Sequence, residues 1–201
     1  GMLTEAGMER VDKTHSDVQH LLCSESIETC ISKLEGRFII VRMGKGGSFE
    51  VGCDRYGQMD LYYQEAEDGA VLSSDLNLLP FKDGEIQYDP VSVAHSIYTY
   101  GFRPGKRHTF YKGIRRLGVG ETMHWEGEQL SFKQLPPPIF PVNKDYGDQE
   151  LSKYSELLLD AVNLRSSPNG NIVFLSSGWD STAILACLVK LHGAENVRAV
   201  I

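Results

Sequence analysis

The chain has 201 residues, of which 41% are hydrophobic, and a net charge of −7. This length suits one large or two small domains of a soluble globular protein. The acidic balance argues against nucleic-acid binding, and no stretch is long and apolar enough to span a membrane. The four cysteines lack metal-ligand spacing and no secretion signal precedes them, which indicates reduced, buried thiols in a cytoplasmic protein.

The first two thirds of the chain alternate short helices with short strands. Ser16 and Asp17 are the predicted cap of a first helix, and a second helix is predicted from Ser26 to Ile31. Asp89 and Pro90 predict a helix start, with the helix running to about Tyr98. Half-apolar runs separated by glycine-containing turns predict antiparallel strands, which are 37–43, 48–53, 61–64, 70–73, 119–125 and 129–133.

The pattern changes after a proline-rich stretch, 136–146, which is predicted to be a linker. Beyond it, helix and strand alternate in the manner of a parallel α/β sheet. The predicted elements are a helix over 149–164, a strand over 171–175, a helix over 180–192 and a strand over 197–201. The sequence thus predicts two domains, 1–135 and 147–201.

The most informative pattern is Phe-Leu-Ser-Ser-Gly-Trp-Asp-Ser-Thr at 174–182, where a predicted strand turns into a predicted helix. Backbone N–H groups at a helix start, together with the positive end of the helix dipole, form an anion site. Four hydroxyls cluster there, those of Ser176, Ser177, Ser181 and Thr182. Gly178 allows a ligand to approach the backbone closely, and the Asp180 carboxylate is suited to Mg²⁺ that bridges phosphates.

An ordinary capped connection is the alternative interpretation of this turn. Capping needs only one serine or aspartate, whereas this turn supplies five polar side chains around its glycine. A Walker A loop is excluded because no Lys-Ser or Lys-Thr follows the glycine.

The turn resembles the pyrophosphate-binding loop of ATP pyrophosphatases, Ser-Gly-Gly-x-Asp-Ser, with Ser177 in place of the first glycine. Earlier segments are similar, in order and spacing, to the glutaminase half of glutamine-dependent asparagine synthetases. These segments are 34–38, 52–57, 61–63, 72–75, 100–105, 109–114 and 118–120. The resemblance covers 16–201, and β-lactam synthetases, which share the architecture, stay open as an alternative.

The resemblance implies an α+β region followed by an α/β region. The first is a partial N-terminal-nucleophile-type αββα sandwich with a mostly antiparallel sheet, and the second is the first αβαβ unit of an ATP-pyrophosphatase (adenine nucleotide α-hydrolase-like) domain. The implied enzyme is a ligase that uses ATP and Mg²⁺ to adenylate a small-molecule carboxylate and then aminate it. Its pyrophosphate would lie on the loop at 176–182, with Val200 as the candidate adenine contact.

The chain departs from this family at its start. The family nucleophile is an N-terminal cysteine, whereas here Leu3 follows Met2 and the first cysteine, Cys23, falls in a predicted helix. We therefore expect a chain truncated at both ends that has lost glutamine hydrolysis. Asp17 resembles a remnant of the glutamine-binding site, although helix capping is the favoured interpretation.

Two further alternatives stay open. One is a non-catalytic, truncated paralogue that serves as a binding or assembly module. The other, a synthetase of the NAD or GMP type, is disfavoured by the strand-rich segment 37–73 before the loop. The last strand is expected to leave an open apolar edge, which predicts a homo-oligomer.

Overall fold

A computed structural model of the chain describes residues 2–4, 7–9, 15–67, 69–80, 86–101, 105–126, 129–137 and 147–201. The chain divides into two compact units, Gly1–Pro138 and Ile139–Ile201. Most of the predicted linker, 138–146, lies outside the described residues, as do 102–104 of one resemblance segment and the 127–128 turn. No helix among the described residues is both long and apolar enough to cross a membrane.

Two helices follow a short N-terminal hairpin in the first unit. The hairpin pairs β1 (Met2–Thr4) with β2 (Gly7–Glu9), and the helices are α1 (Ser16–Ser24) and α2 (Ile27–Lys33). Helix α2 is present where it was predicted, but Ser26 is its cap rather than its first residue, because the Ser26 side chain accepts a hydrogen bond from the Thr29 N–H. The predicted cap of α1 is wrong by one or two positions.

The residue that caps α1 is His15, whose ring nitrogen Nδ1 accepts from the Asp17 N–H at 3.4 Å. Ser16 and Asp17 lie inside the first turn, where the Asp17 carboxylate stabilises the helix dipole instead. The sequence rules missed this cap because histidine is not among the residues that usually occupy the position.

A four-stranded antiparallel sheet has the order β3-β4-β8-β9, formed by β3 (Ile39–Met43), β4 (Phe49–Cys53), β8 (Glu121–Glu126) and β9 (Gln129–Gln134). One face packs on the helix pair, where Ile27, Ile31 and Ile40 are buried together. Gly52 lies under α2 so closely that an added Cβ would approach Ile31 Cδ1 to 2.5 Å.

The opposite face packs on a second, three-stranded antiparallel sheet. Its order is β6-β5-β7, with β5 (Tyr62–Ala66), β6 (Gly69–Ser73) and β7 (Ile114–Arg116). Val51 and Met123 of the first sheet and Tyr63 and Leu117 of the second region form the buried core between them. The described residues thus build α, β and β layers, and the antiparallel pairing predicted from the sequence is confirmed.

Helix α3 (Pro90–His95) begins as predicted, with the Asp89 carboxylate accepting from the Val91 and Ser92 N–H groups. It continues into a wider π-helical turn, Ser96–Tyr100. Strands β1, β2 and β7 were not predicted, because runs of three residues are too short to show an alternating pattern.

The second unit contains α4 (Asp148–Arg165), β10 (Asn171–Phe174), α5 (Trp179–His192) and β11 (Val197–Val200). All four elements match the predicted order, and β10 and β11 pair in parallel as expected. Val173 is buried, whereas its neighbours Ile172 and Phe174 are exposed, so one face of this two-stranded sheet is covered and the other is open.

Candidate functional site

The segment 175–178 joins β10 to α5 and forms the turn that the sequence singled out. The Leu175 N–H donates to the Val200 carbonyl at 2.7 Å, so the turn starts at the carboxyl end of both parallel strands. Gly178 is the residue before the first turn of α5, and an added Cβ there would lie 3.2 Å from Ser176 Oγ. A side chain at 178 would therefore crowd the turn.

Four of the predicted loop residues are brought together by hydrogen bonds. Ser176 Oγ and Ser181 Oγ lie 3.1 Å apart, and Ser181 Oγ also accepts from the Ser176 N–H at 3.2 Å. Thr182 Oγ1 donates to the Gly178 carbonyl at 3.1 Å, and the Gly178 N–H donates to Ser176 Oγ at 3.3 Å. These bonds fix the turn and gather its hydroxyls at the start of α5.

The other two predicted polar loop residues are not part of this described hydrogen-bond network. Ser177 and Asp180 are exposed, and their side chains make no hydrogen bond or ion pair within the described part of the chain. Asp180 lies in the first turn of α5, where its carboxylate favours the helix dipole and stays accessible to a cation. Trp179 between them is 91% exposed. Val200 reaches the same edge of the sheet, because it pairs with Phe174 in register.

Asp17, the remaining candidate, lies in the other unit. Its side chain is 65% exposed, with its carboxylate oxygens 3.4 Å from Ser16 Oγ and 3.8 Å from the His15 ring. The Asp17 carboxylate is therefore accessible to solvent, and its described contacts are with the two residues that precede it in the chain.

The cysteines are all free, but they are not all buried as predicted, because Cys23 on α1 is exposed. Burial raises the pKa of Cys53 to about 12, and burial also raises the pKa of Cys30. Both thiols therefore stay protonated and unreactive at neutral pH. No group of three or more histidine, cysteine or acidic side chains among the described residues is arranged to hold a metal ion.

Polar and aromatic side chains between β4 and β5 serve structure. Asp54, 2% exposed, caps the turn after β4, because its carboxylate accepts hydrogen bonds from the N–H groups of Gln58 and Met59 at 2.9 and 2.8 Å. Tyr63 is buried and Tyr62 only half-buried, because successive residues of a strand face opposite sides of its sheet.

Two clusters of charged side chains were not predicted from the sequence. Asp60 pairs with Lys106 and lies 3.7 Å from Arg116, and His124 lies between Glu28 and Glu50. Their members are tens of residues apart, so no local spacing could have revealed them.

A family model described as a glutamine amidotransferase domain matches residues 4–135. This range ends within the first unit and holds both antiparallel sheets and the helices α1 to α3. No curated protein matches the chain.

Proposed function

The chain belongs to the glutamine amidotransferase domain family, and from that premise we propose that it acts within an ATP-dependent, amide-forming ligase resembling asparagine synthetase. The family match identifies residues 4–135 as a glutamine amidotransferase domain. The ligase chemistry is inferred from the turn at 176–182, which follows that domain in the chain.

In this proposal the turn binds the pyrophosphate portion of ATP. The Ser177 hydroxyl and the first N–H groups of α5 would donate to phosphate oxygens, and the hydroxyls of Ser176, Ser181 and Thr182, which bond within the turn, would rotate to do the same. Asp180 would hold Mg²⁺, which would neutralise phosphate charge. The substrate carboxylate attacks the α-phosphorus, pyrophosphate leaves, and ammonia then displaces AMP to form the amide. Positioning and charge neutralisation supply most of the catalysis.

The observation that carries this proposal is the gathering of hydroxyls at the start of α5. Ser176 Oγ and Ser181 Oγ are 3.1 Å apart, and Asp180, which precedes Ser181 in the chain, is exposed. Val200 lies on the same sheet edge, where an adenine ring would find an apolar contact. An ordinary helix cap would need only one of these groups.

We further propose that none of the cysteines present acts as a glutaminase nucleophile. Cys30 and Cys53 are buried with raised pKa values, Cys187 is also buried, and Cys23 lies within α1. Incubation of the chain with glutamine should release no ammonia. Ammonia release that Cys23→Ala abolishes would contradict this part of the proposal.

Calorimetry of MgATP binding tests the nucleotide site. The wild-type chain should bind MgATP, and Asp180→Ala should weaken binding by about tenfold, equivalent to about 1.4 kcal/mol. Asp148→Ala is the matched control, since Asp148 occupies the first turn of the other helix of this unit, α4. It should leave binding unchanged.

Two results would contradict the proposal that the turn binds a nucleotide. Binding that is indifferent to Asp180 would refute the loop assignment. No binding at all, by a folded wild-type chain, would favour the alternative function, a non-catalytic binding or assembly module.

A further inference from the structure

Five charged or titratable side chains form a continuous row between the four-stranded sheet and α2. Arg42, Glu50 and His124 lie opposite one another on adjacent strands β3, β4 and β8. Arg42 Nη2 is 3.1 Å from Glu50 Oε2, and His124 Nδ1 is 3.4 Å from Glu50 Oε1. On the other side of the ring, His124 Nε2 is 3.4 Å from Glu28 Oε1, which is 3.5 Å from Lys133 Nζ. We call this row the charge ladder.

The charge ladder joins the helix pair to the sheet at two points. Arg42 Nη1 donates to the Glu25 carbonyl at 2.6 Å and to the Leu22 carbonyl at 3.4 Å, where α1 ends. Glu28 lies in the first turn of α2. The charge ladder therefore contacts the connection between α1 and α2, whereas the apolar contacts of Ile27 and Ile31 lie beneath α2.

The ring of His124 is the link whose charge can change. Its side chain is 11% exposed, and each ring nitrogen faces a carboxylate, with Thr122 Oγ1 also 2.9 Å from Nε2. A neutral imidazole carries no charge that could attract either carboxylate, and its Nε2 atom already has Thr122 Oγ1 as a hydrogen-bond partner. The imidazolium places a positive charge 3.4 Å from a carboxylate oxygen on each side of the ring.

Glu28 is the carboxylate that depends on this charge. Its Oε1 atom is buried and accepts no hydrogen bond from the described residues, so it relies on the positive charges of His124 and Lys133. Lys133 is largely exposed and its attraction is screened by solvent. An unpaired buried carboxylate oxygen is costly, and the cost falls on the contact between α2 and the sheet.

We propose that His124 is a proton-operated link that locks the α1–α2 helix pair onto the four-stranded sheet, holding it more firmly when the ring is charged. With the proton bound, positive and negative charges alternate along the charge ladder, in the order Arg42, Glu50, His124, Glu28 and Lys133. Without the proton, the two carboxylates face an uncharged ring, and the helix pair is held less firmly on the sheet.

The groups facing His124 are Glu28 from α2, Glu50 from β4, Lys133 from β9 through Glu28, and Arg42 from β3 through Glu50. Glutamate, lysine and arginine side chains keep their charges between about pH 6 and pH 8, whereas histidine titrates there. For Glu28, burial raises the pKa but is outweighed by its backbone hydrogen bond, by Lys133 and Ser26, and by His124, which together lower it.

Amide hydrogen exchange of the intact chain tests the lock. The Cys30 and Leu34 N–H groups are bonded within α2 at 3.0 Å, and their protection factors should fall by about two- to fivefold from pH 6 to pH 8, the size of one partly exposed ion pair. The Leu117 N–H, which is bonded to the Leu61 carbonyl at the end of the β5–β7 pairing, should not change.

Three variants complete the test. His124→Gln and Glu28→Gln should each abolish the pH dependence at Cys30 and Leu34, because each removes one partner of the contact between the ring and α2. His95→Gln removes an exposed histidine on α3 and should behave as the wild type. If His124→Gln fails to fold, the wild type, Glu28→Gln and His95→Gln still decide the matter. Protection that is constant in the wild type, or that keeps its pH dependence in Glu28→Gln or His124→Gln, would overturn the proposal.

Discussion

At the scale of single residues, Asp60 shows how a partly buried carboxylate is kept charged. Burial raises its pKa, but the hydrogen bond and charge of Lys106 and the charge of Arg116 outweigh this effect and lower it. A carboxylate with a lowered pKa in the folded state stabilises the fold above its unfolded pKa, near 3.9 for aspartate. That stability is lost as the pH falls through the folded-state value.

We therefore expect Asp60→Asn to reduce the free energy of unfolding at pH 7 by about 0.5–1 kcal/mol, a value discounted for solvent exposure. The deficit should shrink toward zero between about pH 4 and pH 2, as the wild-type carboxylate protonates. Urea unfolding of the wild type and the variant at a series of pH values measures this difference in the free energy of unfolding. Asp160→Asn, an exposed position on α4, is the control and should match the wild type throughout. A deficit that persists unchanged at pH 2 would rule out a charge-based origin.

Thiol accessibility gives a second test at this scale. Cys23 is exposed, whereas Cys30, Cys53 and Cys187 are buried. A thiol reagent such as DTNB should modify one of the four cysteines rapidly in the native chain and all four in denaturant. Cys23→Ser should remove the rapid phase. A second fast thiol in the native chain would show that one of the buried sites opens.

Local residue chemistry was predictable from the sequence where it acts over a few positions. Ser26 and Asp89 cap the helices that follow them, because a capping side chain bonds to an N–H two or three residues ahead. The pairing of Asp60 with Lys106 and of His124 with Glu28 was not predictable. Such pairs form only when distant strands and helices meet.

At the scale of elements, the contact of α2 with the four-stranded sheet depends on the small size of Gly52. An added Cβ would lie 2.5 Å from Ile31 Cδ1 and 3.2 Å from Thr122 Cγ2. Gly52→Val should destabilise the first unit by about 1–3 kcal/mol, because overpacking forces side chains from their preferred rotamers. Thermal unfolding followed by circular dichroism measures the loss.

Ile31→Val should partly rescue Gly52→Val, since it removes the Cδ1 methyl group that the new side chain meets. The double variant should therefore lose less stability than the two single variants together. Strict additivity would show that α2 moves away as a whole instead of repacking around position 31.

Strand order, unlike strand existence, could not be predicted from the sequence. The hairpins β3–β4, β5–β6 and β8–β9 join neighbours in the chain, and the six strands that form them were predicted as antiparallel. The pairing of β4 with β8 joins strands separated by three others, and it places Gly52 opposite Thr122. Hydrophobic patterns determine which face of a strand is buried, but many strand orders would satisfy them.

At the scale of the whole molecule, the second unit has an open apolar sheet face. Ile172, Phe174 and Val200 are exposed on β10 and β11, and Phe174 is 76% exposed. Parallel sheets are normally covered on both faces, so we expect self-association through this face. Sedimentation velocity should show a concentration-dependent dimer that Phe174→Ser weakens. Tyr98→Ser, which changes an even more exposed aromatic of the first unit, should not weaken it. A monomer at high concentration would contradict the prediction.

The two tryptophans divide between the two units, and this gives each unit its own optical signal. Trp125 stacks on Phe49 in the first unit, with ring centroids 6.3 Å apart, whereas Trp179 stands in water at the start of α5. Trp125 should therefore emit at shorter wavelength and shift to the red when the first unit unfolds. Trp179 already emits as a solvated indole, and its intensity should respond to a molecule bound at the adjacent turn. In Trp179→Phe and Trp125→Phe variants, fluorescence would report separately on the stability of one unit and on ligand binding by the other.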